Sequence, residues 1–177
     1  MARLGIDFGT TNTVAVLHDR GMYPVVLHAS RTQAGSVCSE VFPSAILIDR
    51  QSGRRYYGVE ADRRYQQLGP RSDHLYIGSL KRELRNYSLG RSLTCQGEPG
   101  LNLEIADLLE GLLSALGDSI RRWLAQMSGT GSPTCSAAGP PSQDEPLECV
   151  ITWPANANGA QRHITRRCFQ AAGFEVI

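Results

Sequence analysis

The chain has 177 residues, enough for one domain with a sizeable buried core. A hydrophobic fraction of 41% and a charged fraction of 20% are those of a globular chain and exclude wholesale disorder. Eighteen Lys+Arg against 17 Asp+Glu leave a net charge of +1, which gives no support to a broad electrostatic grip on nucleic acid or on a membrane.

No apolar run approaches the length of a membrane span, and Met1 to Gly5 leads straight into a strand pattern, not a signal peptide. The five cysteines (Cys38, Cys95, Cys135, Cys149 and Cys168) are far apart and contain no Cys-x-x-Cys pair. That spacing argues against a disulfide scaffold or a zinc site and makes the reducing cytoplasm the expected setting. Lys81 is the only lysine among the 18 positive residues.

In chain order, Leu4, Ile6 and Phe8 alternate with Gly5, Asp7 and Gly9, the period-two pattern of a strand with one apolar face. Gly9 to Asn12 is turn material, and Thr13 to Leu17 resumes a β-rich run. Arg20-Gly21 makes another turn before a third expected strand, Tyr23 to His28, so the start of the chain reads as an antiparallel meander. Residues 29–43 read as polar and irregular. Ala45 to Ile48 reads as a buried strand, Gly58 to about Leu68 as a short helix, and Lys81 to Glu83 as a weakly helical piece.

The strongest helix signal follows. Ile105, Leu108, Leu109, Leu112, Leu116, Ile120, Trp123 and Met127 recur at spacings of three and four, the stripe that core packing requires, with Asn102 as the expected N-cap. Residues 128–146 hold three Gly, four Pro and four Ser and read as a flexible surface loop. Cys149 to Thr152 reads as a buried strand, Gly159 to Ala172 as a helix stopped by Gly173, and Phe174 to Ile177 as a further strand. Strands alternating with helices require a parallel part of the sheet. The expected class is therefore α/β, a mixed sheet flanked by helices. Residues 1–40 and 104–177 form the expected core, and residues 41–103 a small inserted α+β subdomain.

One segment carries chemistry. On one face of the first strand stand Gly5, Asp7 and Gly9, which lets a ligand approach the backbone closely. The small-residue turn after it offers consecutive backbone N–H groups to an anion, and Thr10 and Thr11 add hydroxyl donors. Asp7 supplies a hard oxygen able to hold Mg²⁺ directly or through water. Taken alone, the same residues also describe a tight hairpin in which Asp7 stabilises the turn. His18, His28, His74 and His163 show no metal-ligand spacing, no Gly-x-Ser-x-Gly elbow is present, and Arg162, Arg166 and Arg167 read most simply as a solvated helix face.

Gly5 to Asn12 resembles the first phosphate motif of the actin-like ATPase superfamily, whose lobes have a ribonuclease H-like fold. Val150-Ile151-Thr152-Trp153-Pro154-Ala155, then Gln161-Arg162 and Ala171 to Val176, resemble the corresponding stretch of the heat-shock-protein-70 (DnaK-type) chaperones. Pro43-Ser44, Tyr57 to Ala61 and Ser79 to Arg82 match that family in order between them. The resemblance implies an ATP-binding lobe of a chaperone that folds proteins at the expense of ATP, with ATP or ADP and Mg²⁺ as cofactors. In a full-length form it implies unfolded polypeptides and co-chaperones as partners.

Residue by residue, the resemblance implies that Asp7 reaches Mg²⁺ through water and that Gly9, Thr10, Thr11 and Asn12 wrap the β- and γ-phosphates. It makes Lys81 the catalytic lysine that orients the water attacking the γ-phosphate, and Pro154 and Arg162 the pair that links nucleotide state to a substrate-binding domain. The solitary lysine adds a physical argument, because a compact ammonium is retained where every other cation is an arginine. Asn156 to Gly159 departs from the family's aromatic pair and Asn-Asp, and Arg31 to Ser39 lacks its Gly-Asn-Arg-x-x-Pro pattern. The second lobe, the adenine pocket and the peptide-binding domain have no counterpart in these residues, so the expectation is a first lobe that does not complete hydrolysis alone. The competing readings are a sugar or acetate kinase of the same superfamily and a nucleotide-independent interaction scaffold.

Overall fold

The alternation at the start of the chain becomes strand β1 (Arg3–Phe8), which buries Leu4, Ile6 and Phe8 and exposes Arg3, Gly5 and Asp7. Strand β2 (Asn12–His18) returns antiparallel to it, with Ile6 opposite Ala15 and Asp7 opposite Val14. The structure, a computed structural model, describes residues 3–32, 35–70, 72–84, 103–129, 145–153 and 157–177. The expected N-cap Asn102 and most of the expected loop 128–146 lie outside the described residues. Ser128 and Gly129 close a helix, and Glu145 and Pro146 lead into a strand.

Two expectations for the next stretch are corrected. Tyr23 to His28 does not form a ladder of its own: the isolated bridge Val16↔Val25 attaches it to β2, and Asp19↔Met22 closes the turn before it. Pro24 has no N–H to give and interrupts the pairing. The stretch read as irregular instead holds the hairpin of β3 (His28–Thr32) and β4 (Gly35–Ser39), which among the described residues pair only with each other. Its second strand is exposed along almost its whole length, so no alternation of buried and exposed residues announced it.

Beyond the short β5 (Phe42–Pro43), strands β6 (Ile46–Asp49) and β7 (Arg55–Tyr57) precede helix α1 (Gly58–Leu68). Strand β8 (His74–Ile77) and the single turn α2 (Leu80–Glu83) follow. Strands β6, β7 and β8 form an antiparallel sheet with β6 in the centre. The long stripe becomes α3 (Ile105–Gly129), and β9 (Leu147–Ile151), α4 (Gly159–Ala171) and β10 (Phe174–Val176) complete the described chain. Gly173, at φ +82°, takes the left-handed conformation that stops α4.

The main sheet has the order β10-β9-β1-β2-β5, with β10, β9 and β1 parallel and β2 and β5 antiparallel. One core joins its buried face to α3 and α4. Leu4, Ile6, Phe8 and Cys149 meet Leu108, Leu112 and Leu116 of α3 and Ile164 and Phe169 of α4. Phe169 is fully buried and meets Phe8 and Phe174 edge to face, at 5.8 and 5.2 Å between ring centroids. Residues of β6 alternate between two cores: Ile46 and Ile48 join the main one, while Leu47 packs with Ala45 and Ala61 in a smaller one. Among the described residues no helix is long and apolar enough to cross a membrane.

One polar group is sealed into this packing. His28 is fully buried, its Nδ1 shares a 2.8 Å hydrogen bond with Ser119 Oγ on α3, and its Nε2 has no hydrogen-bond partner among the described residues. Burial, with help from the Arg122 guanidinium, lowers its pKa from 6.5 to about 4. Below pH 6.5 the unfolded chain therefore takes up a proton that the folded chain refuses. Stability falls with falling pH until about pH 4, where folded His28 also protonates. The full difference is on the order of 3 kcal/mol. Urea unfolding at pH 7 and pH 5 should show a loss that His28→Gln largely removes; an unchanged pH slope in the variant would assign the loss to other groups.

Candidate functional site

Strands β1 and β9 lie side by side and parallel, yet the chain leaves them toward opposite edges of the sheet. From β1 it turns to β2, whereas from β9 it crosses through α4 to β10. A divergence of this kind opens a crevice outside the carboxyl ends of the two strands, where open α/β sheets place their ligands. Phe8 and Thr10 line it from the end of β1 and its loop, and Thr152 and Trp153 from the end of β9.

The loop Gly9 to Thr11 is braced from behind. A Cβ on Gly9 would come within 2.1 Å of the Asn12 carbonyl oxygen, so only glycine fits where the loop folds back on itself. Ser44, buried just after β5, donates its N–H to the Thr11 carbonyl at 2.7 Å. Its hydroxyl lies 3.3 Å from the Gly9 carbonyl, to which it donates, and 3.3 Å from Thr13 Oγ1. Thr10, Thr11 and Asn12 remain exposed on the other side. The result is a loop held by its carbonyls, with polar side chains turned to solvent.

Lys81 reaches the same place from α2. Leu80, fully buried, anchors the turn, and Lys81 Nζ donates to the Phe8 carbonyl and stands 5.1 Å from the centroid of the Phe8 ring. Partial burial lowers the Lys81 pKa, and the Asp7 carboxylate opposes that shift. A cleft of about 420 Å³ opens beside it, lined among others by Thr10, Lys81, Arg82, Thr152, Trp153 and Gln161. The start of α4 closes one side through a capping box. Asn158 Oδ1 accepts from Gln161 N at 2.8 Å, and Gln161 Oε1 accepts from Asn158 N at 3.1 Å. Gln161 Nε2 also donates to the Leu84 carbonyl at 2.9 Å, tying this helix end to the end of α2.

The structure thus brings Thr10 and Lys81 to one cleft, with Gly9, Thr11 and Asn12 in the loop beside them; Asp7 does not line the cleft but adjoins it, bonded to Thr152 and close enough to Lys81 to act on its charge. Arg162 is exposed; it donates from Nε to the Ala157 carbonyl at 3.1 Å and does not line the cleft. Pro154 lies outside the described residues. Three polar residues at the site were not singled out for it by sequence: Ser44, Gln161 and Thr152, whose Oγ1 donates to Asp7 Oδ1 at 2.6 Å. All three lay in segments matched to the family (Pro-Ser, Gln-Arg and the stretch from Val150 to Ala155), although nothing there signalled what they hold. Among the described residues no group of three or more His, Cys, Asp or Glu is placed to hold a metal ion. The donors around Asp7, one carboxylate with neighbouring hydroxyls, fit Mg²⁺, which keeps several waters and is bound through one or two carboxylates and substrate phosphates.

The chain is similar along nearly its whole length to DnaK chaperones. It is 28% identical over 188 residues to "Chaperone protein dnaK3" of Synechococcus elongatus, which is 98% of this chain and 22% of that protein. The match to "Chaperone protein DnaK 1" of a Synechococcus species has the same identity and coverage. "Chaperone protein dnaK3" of a Synechocystis species is 27% identical over 187 residues, 98% of this chain and 21% of the relative. The chain therefore spans about a fifth of the length of the curated relatives it matches. No family model matches it.

The brace behind the loop is open to test. Ser44→Ala leaves the Gly9 carbonyl and the Thr13 hydroxyl each without the partner described above. The expected loss is about 1–2 kcal/mol in urea unfolding. Exchange of the amide at position 44, which donates to the Thr11 carbonyl, should speed up far more than exchange in α3. Equal protection in variant and wild type would show that the loop holds itself.

Proposed function

We propose that the chain is the phosphate-binding lobe of a heat-shock-protein-70-type chaperone ATPase, with an actin-like fold and residues 41–103 inserted as a subdomain. The observation that carries this reading is the convergence of Thr10 and Lys81, from the loop after β1 and from α2, on the cleft where β1 and β9 diverge, with Asp7 adjoining it through Thr152 and the Lys81 charge. The similarity to DnaK chaperones over 98% of the chain supports the same assignment.

In this reading the amides and hydroxyls of Gly9 to Asn12 hold the β- and γ-phosphates of ATP or ADP. Asp7 faces a hydrated Mg²⁺, which when bound offsets the phosphate charge. Lys81 places its ammonium against the water that attacks the γ-phosphorus, so its charge acts mainly in the transition state. Arg162, with Pro154, relays nucleotide state toward a substrate-binding domain that handles unfolded polypeptides with co-chaperones. The donors described line one wall of a phosphate site and supply no adenine pocket. Tight binding needs most of the ligand surface covered, so these residues alone bind ATP weakly and turn it over negligibly.

Two measurements test this. Titrating the 177-residue chain with Mg·ATP should shift the amide resonances of Gly9 to Asn12 at weak affinity, with no steady release of phosphate. Sub-micromolar affinity or sustained turnover would reveal a complete site, and no response at the loop would favour a nucleotide-independent scaffold.

In a longer chain carrying the second lobe, Lys81→Ala should lower the hydrolysis rate roughly a hundredfold with nucleotide affinity nearly intact. Joint loss of rate and affinity would make Lys81 an ordinary phosphate ligand. Asp7→Ala should weaken Mg²⁺-dependent turnover, and unchanged turnover would remove Asp7 from the site.

A further inference from the structure

Strands β1 and β9 run parallel in the register Leu4↔Cys149, Gly5↔Val150 and Ile6↔Ile151, which brings Asp7 and Thr152 side by side one step further on. The Thr152 N–H donates to the Ile6 carbonyl at 3.0 Å, so the backbone under this pair is pinned. Thr152 Oγ1 then donates its single proton to Asp7 Oδ1 at 2.6 Å. A β-branched side chain has restricted χ1 freedom, which makes threonine a firmer hydroxyl donor than serine at such a place. One Asp7 oxygen is thereby engaged, and Oδ2 carries no hydrogen bond among the described residues.

From this geometry we infer that Thr152 is a positioning residue for Asp7. It holds the carboxylate so that a single oxygen faces a hydrated divalent cation accompanying a polyphosphate. This rests on the phosphate-site reading above. Hydrogen-bond partners of metal-facing carboxylates are worth about 10- to 100-fold in metal affinity, because they spare the ligand the cost of being ordered on binding. Thr152 is itself exposed, so exchanging its hydroxyl for a methyl group disturbs little packing. That separates the proposed role from a structural one.

The test uses the 177-residue chain with Mn²⁺ and ATP, Mn²⁺ standing in for Mg²⁺ as a paramagnetic probe. In the wild type, Mn·ATP should broaden amide resonances around Asp7 and Gly9 to Asn12. Thr152→Val should weaken Mn·ATP binding about tenfold or more, leave ATP binding without metal unchanged, and keep the thermal midpoint. Thr152→Ser should restore most of the affinity. In an Asp7→Asn background, Thr152→Val should have no further effect, since the hydroxyl acts only through that carboxylate. Wild-type affinity retained in Thr152→Val would overturn this inference and leave the site reading standing. The same holds for a loss that Thr152→Ser does not restore or that tracks a fall in thermal midpoint. Absence of broadening near the loop in the wild type would overturn both.

Discussion

The parallel pairing of β1 with β9 is the constraint on which the rest of the molecule depends. It joins residues about 145 positions apart in sequence, as the Arg3–Glu148 ion pair and the Thr152–Asp7 hydrogen bond both record. Closing so long a loop costs entropy that only a large buried surface offsets. That surface is the face formed by Leu4, Ile6, Phe8 and Cys149 against α3 and α4. Once the pairing is made, the two strand ends diverge and the crevice exists without any further device. The site follows directly from the way the sheet is assembled.

Around that crevice the chain uses small residues and single hydroxyls where a larger group would not fit. Gly9 lies so near the Asn12 carbonyl that no side chain is admissible, and Ser44 fills the space behind the loop with donors matched to its carbonyls. Lys81 follows the same logic in charge. Its ammonium is a compact group with a flexible stem, and here one contact to the Phe8 carbonyl sits beside partial burial. An arginine would bring five donors in a rigid fork into the same half-buried space and leave several without acceptors. A chain that writes its other cations as arginine thus keeps a lysine where the space calls for one.

The interior has its own polar exception. His28 ties the start of β3 to α3 through Ser119 and stays neutral because it is buried, so the hairpin's attachment to the long helix is sensitive to proton uptake. Among the described residues the hairpin pairs with no other strand; β3 packs against α1 and α3, and its His28 ring meets Phe42 of β5 edge to face. That polar contact therefore matters more than it would inside a continuous sheet.

How much of this was legible in the sequence varied with the range of the interaction. Strand β1, helix α3 and helix α4 with its stop at Gly173 follow from local periodicity and local backbone chemistry, and the chain order alone demands a parallel strand pair. Asp7, Thr10 and Lys81 stand out by residue type and by resemblance to a family motif. Strands β4, β7 and β8 gave no periodic signal, being short and half-buried or exposed, and their pairing is decided by neighbours. Ser44 and Thr152 lie in the same position. A serine after a proline and a threonine at a strand end become parts of a site only when register sets them against Gly9 and Asp7. Local sequence sets which segments bury a face. Which hydroxyl meets which carboxylate is a matter of strand register, and register is fixed by the whole core.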